Sequence, residues 1–213
     1  MLNKNTSGVR GDTMIEVLFA ITIFSLVAVG GLAIMNQGTA TAQRALEITL
    51  VRQEIDAQAE TIRFLNSSYI AAFVPNASFA ANTPAGQWQL MEDSIISTAA
   101  ASASDFGAVG ATCPFPLPNG SFILNTKNAT FVAPSEGRVV ASQTFSQVKY
   151  DGGGQVTAAE GIWIEAVRPD TVLGNNQSNT GYIDFHIRAC WDSPGQDMPV
   201  TLGTIVRLYE PRG

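Results

Sequence analysis

Charge is what this sequence has least of. Lys, Arg, Asp and Glu together make up 14% of its residues, well below the roughly 25% of an ordinary soluble domain. Histidine occurs once, at His186, and cysteine twice, at Cys113 and Cys190. Each shortage excludes something. The net charge is -6, and the chain contains no run of Lys or Arg. It therefore lacks the cationic surplus that phosphate contacts need, and direct nucleic-acid binding is not expected. Two distant cysteines and one histidine fit no zinc spacing. Asp170, Asp192 and Asp197 fall in predicted loops and could face a calcium ion, but without the dense alternating oxygen ligands of a calcium loop. No metal and no cofactor are expected. A nucleophile needs a base and a third group to orient that base. His186 alternates with apolar residues on a predicted strand and reads as an edge or solvent-facing side chain. No glycine-rich phosphate loop follows a strand, so the chain is not expected to be an enzyme. The cysteines stay open at this point: one disulfide in an oxidising compartment, two separate thiols in the cytosol.

What is present begins at the N-terminus. Val17 to Met35 is an uninterrupted apolar run, VLFAITIFSLVAVGGLAIM, without a charge. At about 1.5 Å per residue its nineteen residues make a helix of roughly 28 Å, close to the hydrocarbon thickness of a bilayer. The stretch before it, MLNKNTSGVR, carries Lys4 and Arg10 and no acid. That asymmetry leaves the N-terminus in the cytoplasm and exports the rest. Glu16 opens the apolar run, where an ordinary secretory signal has a positive or neutral residue. An ionised carboxylate at that depth needs a partner, or must stay hydrated at headgroup level. No Lys or Arg shares its helix face.

Gly11-Asp12-Thr13-Met14-Ile15-Glu16-Val17-Leu18 resembles the type III signal of type IV prepilins, in which a peptidase cuts after a glycine five residues before a Glu. The run from Glu16 to Phe24, EVLFAITIF, is similar to the start of one group of minor pilins and pseudopilins. The likeness covers about residues 8 to 40. It implies a cut between Gly11 and Asp12, which would create a new α-amine on Asp12. It implies that Glu16 pairs with the α-amine of a neighbouring subunit and sets assembly register. Mispairing such a buried charge costs several kcal/mol, although the pair itself adds little stability. The family usually has Phe or Met, N-methylated, as its first mature residue. Here that residue is Asp12, which sets a second carboxylate beside the amine and leaves methylation open. The helix-kinking Pro of major pilins would fall at Ala33; Gly30 and Gly31 could supply local weakness instead. Partners implied are other pilin subunits, the prepilin peptidase and an inner-membrane assembly platform. Arg10-Gly11-Asp12 also spells an adhesion tripeptide, read here as chance because it straddles the cut.

Beyond the span, Ile48, Val51, Ile55, Ala59, Ile62, Leu65 and Tyr69 recur at steps of three and four, the signature of one helix face. Arg44, Glu47, Glu54 and Gln58 are assigned to the opposite, wet face. One helix is expected from Thr13 to about Leu65, packed on the chain's own sheet rather than on a coiled-coil partner. Ala71 to Thr112 reads as a loop-rich connector with a short helix within Gln87 to Ala99, where Glu92-Asp93 is assigned a wet face. Strands are expected at Ser121–Asn125, Arg138–Ser142, Phe145–Tyr150, Gly161–Arg168, Gly181–Trp191 and Pro199–Tyr209, with a turn at Asp151 to Gly154. Trp88, Trp163 and Trp191 read as core or interface anchors. Asn66, Asn119 and Asn128 open glycosylation triplets of a kind frequent by chance. With export granted, Cys113 and Cys190 become expected disulfide partners, as in family members that staple a C-terminal region to the sheet.

The expected fold class is α+β: a long N-terminal helix on an antiparallel sheet of four or more strands, pilin-like. The organisation is a leader over residues 1–11, a membrane-spanning half-helix over 12–36, an amphipathic half over 37–68 and an extracytoplasmic head over 69–213. The expected function is a minor type IV pilin or pseudopilin, membrane-held before assembly and then part of a surface pilus or periplasmic pseudopilus. The alternative is a secreted or membrane-anchored binding domain with an ordinary signal cut near Ala40-Thr41-Ala42; an anchored enzyme ranks third.

Overall fold

The apolar run and the stripe after it belong to one helix, α1, which spans Thr13–Ala72. The computed structural model describes residues 13–96, 99, 112–114, 116–168 and 181–210. α1 continues unbroken through Gly30, Gly31 and Gly38, and it ends at Ala72 rather than Leu65. The extra turns are held by Tyr69, whose ring meets Phe73, Phe79 and Trp88. Pro75 then blocks continuation, because the residue before a proline is pushed out of the helical region. The chain divides into two compact units, one ending at Gln43 and one beginning at Arg44.

In the second unit, α1 buries Val51, Ile55, Ala59, Ile62 and Leu65. The expected wet face is corrected here. Gln58 is 1% exposed; its Nε2 donates to the Leu124 carbonyl at 2.8 Å and its Oε1 accepts from the Leu124 N–H at 2.9 Å. Glu47 Oε2 accepts from Trp191 Nε1 at 3.1 Å and from Ser193 Oγ at 2.7 Å. Arg44 and Glu54 are half-buried. At 3.6 residues per turn, positions 47, 51, 54, 58 and 62 share one sector of the helix. The polar residues lie in phase with the apolar ones, not opposite them. The wet face is instead Arg52, Asp56, Glu60 and Arg63, all exposed.

After α1, Thr83 caps helix α2 (Pro84–Ser94): its side chain accepts from the Gly86 N–H, and Pro84 occupies the first turn, as proline does where no helical donor is needed. α2 starts three residues before the expected Gln87. Eight strands follow among the described residues: β1 Ile123–Asn125, β2 Thr130–Val132, β3 Val139–Val140, β4 Gln147–Tyr150, β5 Val156–Glu160, β6 Ile162–Val167, β7 Tyr182–Trp191 and β8 Val200–Tyr209. They form three small sheets, β1-β2, β3-β5-β4 and β6-β7-β8. The single sheet expected from sequence is thus corrected to three, and β3 runs parallel to β5. The fold is α+β, with its strand pairing otherwise antiparallel. A bridge between Phe122 and Ile164 ties the β1-β2 ribbon to β6. Two strands were not anticipated. β2 is three residues among turn-formers, and β5, Val-Thr-Ala-Ala-Glu, lacks alternation. The Asp151 turn therefore joins β4 to β5, with Asp151 Oδ1 accepting from the N–H groups of Gly153 and Gln155.

The inner faces of β7 and β8 follow the expected alternation. Ile183, Phe185, Ile187, Ala189 and Trp191 are all buried, and Val200 and Val206 join them. An aromatic chain runs from Tyr69 through Trp88, Phe185 and Phe122 to Phe131. Gly161 lets β5 pass into β6 with φ +60, and a Cβ there would lie 2.4 Å from the Cys190 carbonyl oxygen. Only glycine fits that approach.

The Gln58 contact generates a direct test. Gln58→Leu keeps the volume but leaves both buried polar groups of Leu124 without their partner, and should cost about 2–4 kcal/mol. Urea unfolding of the detergent-solubilised chain checks it; a loss below about 1 kcal/mol would show that the pairing is not what fixes α1 to β1.

Candidate functional site

A helix as apolar as residues 17–35 is normally found inside a protein core. Here no residue of its most apolar stretch is buried by the chain. Phe19, Phe24, Leu26, Val29, Ile34 and Met35 are all exposed. The length and composition of the helix suit one passage across a bilayer, and its backbone groups satisfy one another as hydrocarbon demands. The hydroxyls are satisfied too: Thr22 donates to the Leu18 carbonyl at 2.7 Å, Ser25 to that of Ile21 at 2.8 Å, and Thr39 to that of Met35 at 3.0 Å. One charge remains between residues 13 and 43. It is Glu16, exposed and in the first turn of α1, where the positive end of the helix dipole favours an anion. Gly11 and Asp12, with Lys4 and Arg10, lie outside the described residues. Among its described residues the unit therefore presents a bare apolar surface from Val17 to Met35 with a single carboxylate near one end, a surface suited to cover by lipid or other helices.

Cys113 and Cys190 are joined, with Cα atoms 5.6 Å apart. The bridge fixes the chain at Cys113 to the outer face of β7, opposite the Ile183-to-Trp191 core face. That outer face is itself charged and largely covered. Trp163 Nε1 donates to Glu165 Oε1 at 2.8 Å, Arg188 lies 3.4 Å from Glu165, and Arg207 makes a two-pronged contact with Asp184 at 2.7 Å. Trp163, Glu165, Asp184 and Arg188 are buried. His186 sits half-buried among them; burial first, then Arg188, lowers its pKa against the opposing pull of Asp184 and Glu165. All three tryptophans are buried, Trp88 and Trp191 in the core and Trp163 on this outer face. Asp192 and Asp197 are exposed, Asp170 lies outside the described residues, and no group of three or more His, Cys, Asp or Glu side chains among the described residues is placed to hold a metal. Asn66 is buried, so it cannot serve as a glycan acceptor; Asn119 and Asn128 are exposed. Because the bridge joins cysteines 77 positions apart, replacing both with serine should lower stability by about 4 kcal/mol on chain-entropy grounds. Comparative unfolding of the oxidised and double-serine chains tests this; equal midpoints would contradict it.

No family model, curated protein or solved structure matches the chain. Its own residues carry the functional reading. Two features on α1 and α2 were not visible as such in sequence. Glu54 lies in a groove of ≈ 330 Å³ with Leu50, Gln53, Phe145, Ser146, Gln147 and Val148. Its placement could have been found from the phase it shares with Val51 and Gln58. Glu92, expected on a wet face, is half-buried. Its carboxyl pKa is raised by burial and by Glu210 and Asp93, against the lowering pull of Arg168 and of the Tyr69 hydroxyl that donates to it. Arg168 itself pairs with Glu210.

A carboxyl whose pKa is higher folded than unfolded costs stability when ionised. The cost is full above the folded pKa and vanishes below the unfolded value. Glu92→Gln should therefore raise the melting temperature at pH 7 to 8, with the gain fading as the pH falls below the ordinary carboxyl range. Thermal melts across pH 3.5 to 8 measure this, and a variant destabilised at pH 8 would reverse the assignment.

Proposed function

We propose that this chain is a minor type IV pilin or pseudopilin: a structural subunit, not an enzyme, that assembles into an extracytoplasmic filament through its N-terminal helix. The observation that carries the proposal is an apolar span left bare by its own chain, with Glu16 as its only charge, five residues after Gly11. A plain anchor needs no acid at that place. A carboxylate there is tolerated when a cation meets it, and cleavage after Gly11 supplies one as the α-amine of Asp12 on a neighbouring molecule. In this reading the prepilin peptidase trims the leader, the inner-membrane platform collects the subunit, and the apolar cylinder exchanges lipid for the helices of other subunits. The head then lies on the filament surface with its pilin-like fold. The disulfide supports the reading, since such bonds persist in oxidising compartments. The unbroken α1 also supports it, because one helix contributes both the apolar surface and the core stripe of the head.

Intact-mass measurement of the native protein should find a chain beginning at Asp12. A start at Gln43 would favour a secreted domain, and Met1 a simple anchor. In cells, Glu16→Ala should leave the protein membrane-bound and folded while reducing its filament incorporation by tenfold or more, the order expected when a buried charge loses its partner. Wild-type incorporation of that variant removes the register role.

A further inference from the structure

The β6-β7-β8 sheet is bridged at one margin and open at the other. Phe122 meets Ile164 on the β6 side, whereas β8 pairs with β7 alone among the described residues. Glu210 donates its N–H to the Gly181 carbonyl at 2.8 Å, one step beyond the Tyr182–Tyr209 pair. Hydrogen-bonded pairs alternate along an antiparallel ladder. Val200, Leu202, Thr204, Val206 and Leu208 therefore bond to β7, and Thr201, Gly203, Ile205, Arg207 and Tyr209 turn their N–H and C=O groups away from it. All five of the latter are exposed. Native edges are usually blunted by proline, lysine, a bulge or shortness. β8 has none of these: it runs ten residues, Val200–Tyr209, in unbroken register. Its one charge, Arg207, is held by Asp184.

The two sides of this edge differ. On the side of α1, Arg52, Ile55 and Asp56 form a hollow with Leu202, Gly203 and Thr204. Arg52 and Asp56 are exposed, and neither is held in an ion pair among the described residues. Arg52 has the longer reach of the two, and its guanidinium suits a carboxylate. On the other side Ile205 and Tyr209 are exposed, and Arg207 lies over the Tyr182 ring at 4.0 Å. Tyrosine and arginine are the residue types that most often anchor an interface. Directly opposed residues of neighbouring strands share a face. A strand laid along β8 would thus send one row of side chains into the Arg52 hollow and the other row over Ile205 and Tyr209.

We infer that the β8 edge receives an extended segment of a different protein, apolar on the row that covers Ile205 and Tyr209 and carrying a carboxylate on the row that meets Arg52. The outward backbone groups of β8 supply the affinity of such strand addition, and the two rows supply its specificity. A second copy of this chain fits less well. In a symmetric pair a second β8 brings only Val200, Leu202, Thr204, Val206 and Leu208 to the side of α1, and Arg52 stays unmet. The inference rests on the head alone and is independent of the filament reading.

The test uses the full chain in detergent and a synthetic heptapeptide of alternating Val and Thr with Asp as its central residue. Hydrogen exchange resolved by residue should show the amides of Thr201, Gly203, Ile205, Arg207 and Tyr209 exchanging fast in the free chain and slowing at least tenfold with peptide bound. The same peptide with N-methylated amides should bind at least tenfold more weakly, since it keeps the side chains but loses the backbone donors. A version with Lys in place of Asp should bind about threefold more weakly, the scale of an exposed ion pair. Arg52→Gln should reverse that preference, because Asp56 is then the charge left in the hollow. This variant alters one exposed side chain of α1, and circular dichroism confirms its fold. Three results overturn the inference: no binding at millimolar peptide, binding indifferent to N-methylation, or protection that falls outside β8. An Asp preference that survives Arg52→Gln overturns the acidic partner. Tighter binding of a peptide copied from residues 200–209 than of the Asp peptide overturns it too, by assigning the edge to a second copy.

Discussion

The exchange of two hydrogen bonds between the Gln58 amide and the backbone of Leu124 is the contact on which the head's architecture turns. A helix has no free backbone groups along its length to offer a strand, so helix and sheet ordinarily meet through apolar side chains alone. Such contacts tolerate sliding by a turn. An amide that donates to one carbonyl and accepts from the same residue's N–H does not, because a shift leaves both groups buried and unsatisfied. Gln58 therefore acts as a local strand edge, fixing the axial position of α1 against β1. Glu47 does the same some three turns earlier, where it receives the Trp191 indole and the Ser193 hydroxyl. Between them Val51 and Ile55 supply the burial, and the two polar contacts choose the register.

That division of labour explains what was legible in the sequence. Apolar residues announce themselves by period, so the stripe from Val51 to Leu65 and the alternation along β7 could be read directly. A polar residue in the same phase carries no such signal. Glu47, Glu54 and Gln58 were given to solvent by residue type, when their spacing placed them with the core. The two missed strands failed for a related reason. β5 is short, carries Ala158 and Ala159 at its centre and is buried at Ala159 by its neighbours, so its pairing reflects tertiary context rather than propensity. The disulfide was accessible only after location had been argued, since spacing alone left the two cysteines unassigned. At the N-terminus the span and Glu16 were plain from composition. That the span stays bare of any cover from its own chain needed coordinates.

The scarcity of charge noted at the outset takes on a structural meaning. The outer face of β6-β7-β8 gathers Glu165, Asp184, Arg188 and Arg207 into ion pairs around His186. Among the described residues, most of the cations are held in ion pairs, each by an acid of the same molecule. An acidic protein whose bases are spent internally repels copies of itself through its surface at large. Association must then come from apolar area and from the few charges left over.

Those remaining charges are not scattered. Glu16 is the sole charge of the apolar span, and Glu54 is a half-buried acid with an unsatisfied oxygen; both belong to α1. Neither has a cation within reach on its own helix face among the described residues, and at Glu54 burial makes an unmet oxygen costly. Within one molecule the two are defects. In the proposed assembly, an acid such as Glu16 is matched by a cation of another molecule at a single offset, and wrong offsets are penalised by the burial of unpaired charge. Apolar surface alone gives adhesion without register, because lipid-facing helices slide past one another at little cost. The proposed subunit role asks for both: an apolar stretch from Val17 to Met35 for adhesion, and a rare charge such as Glu16 for alignment.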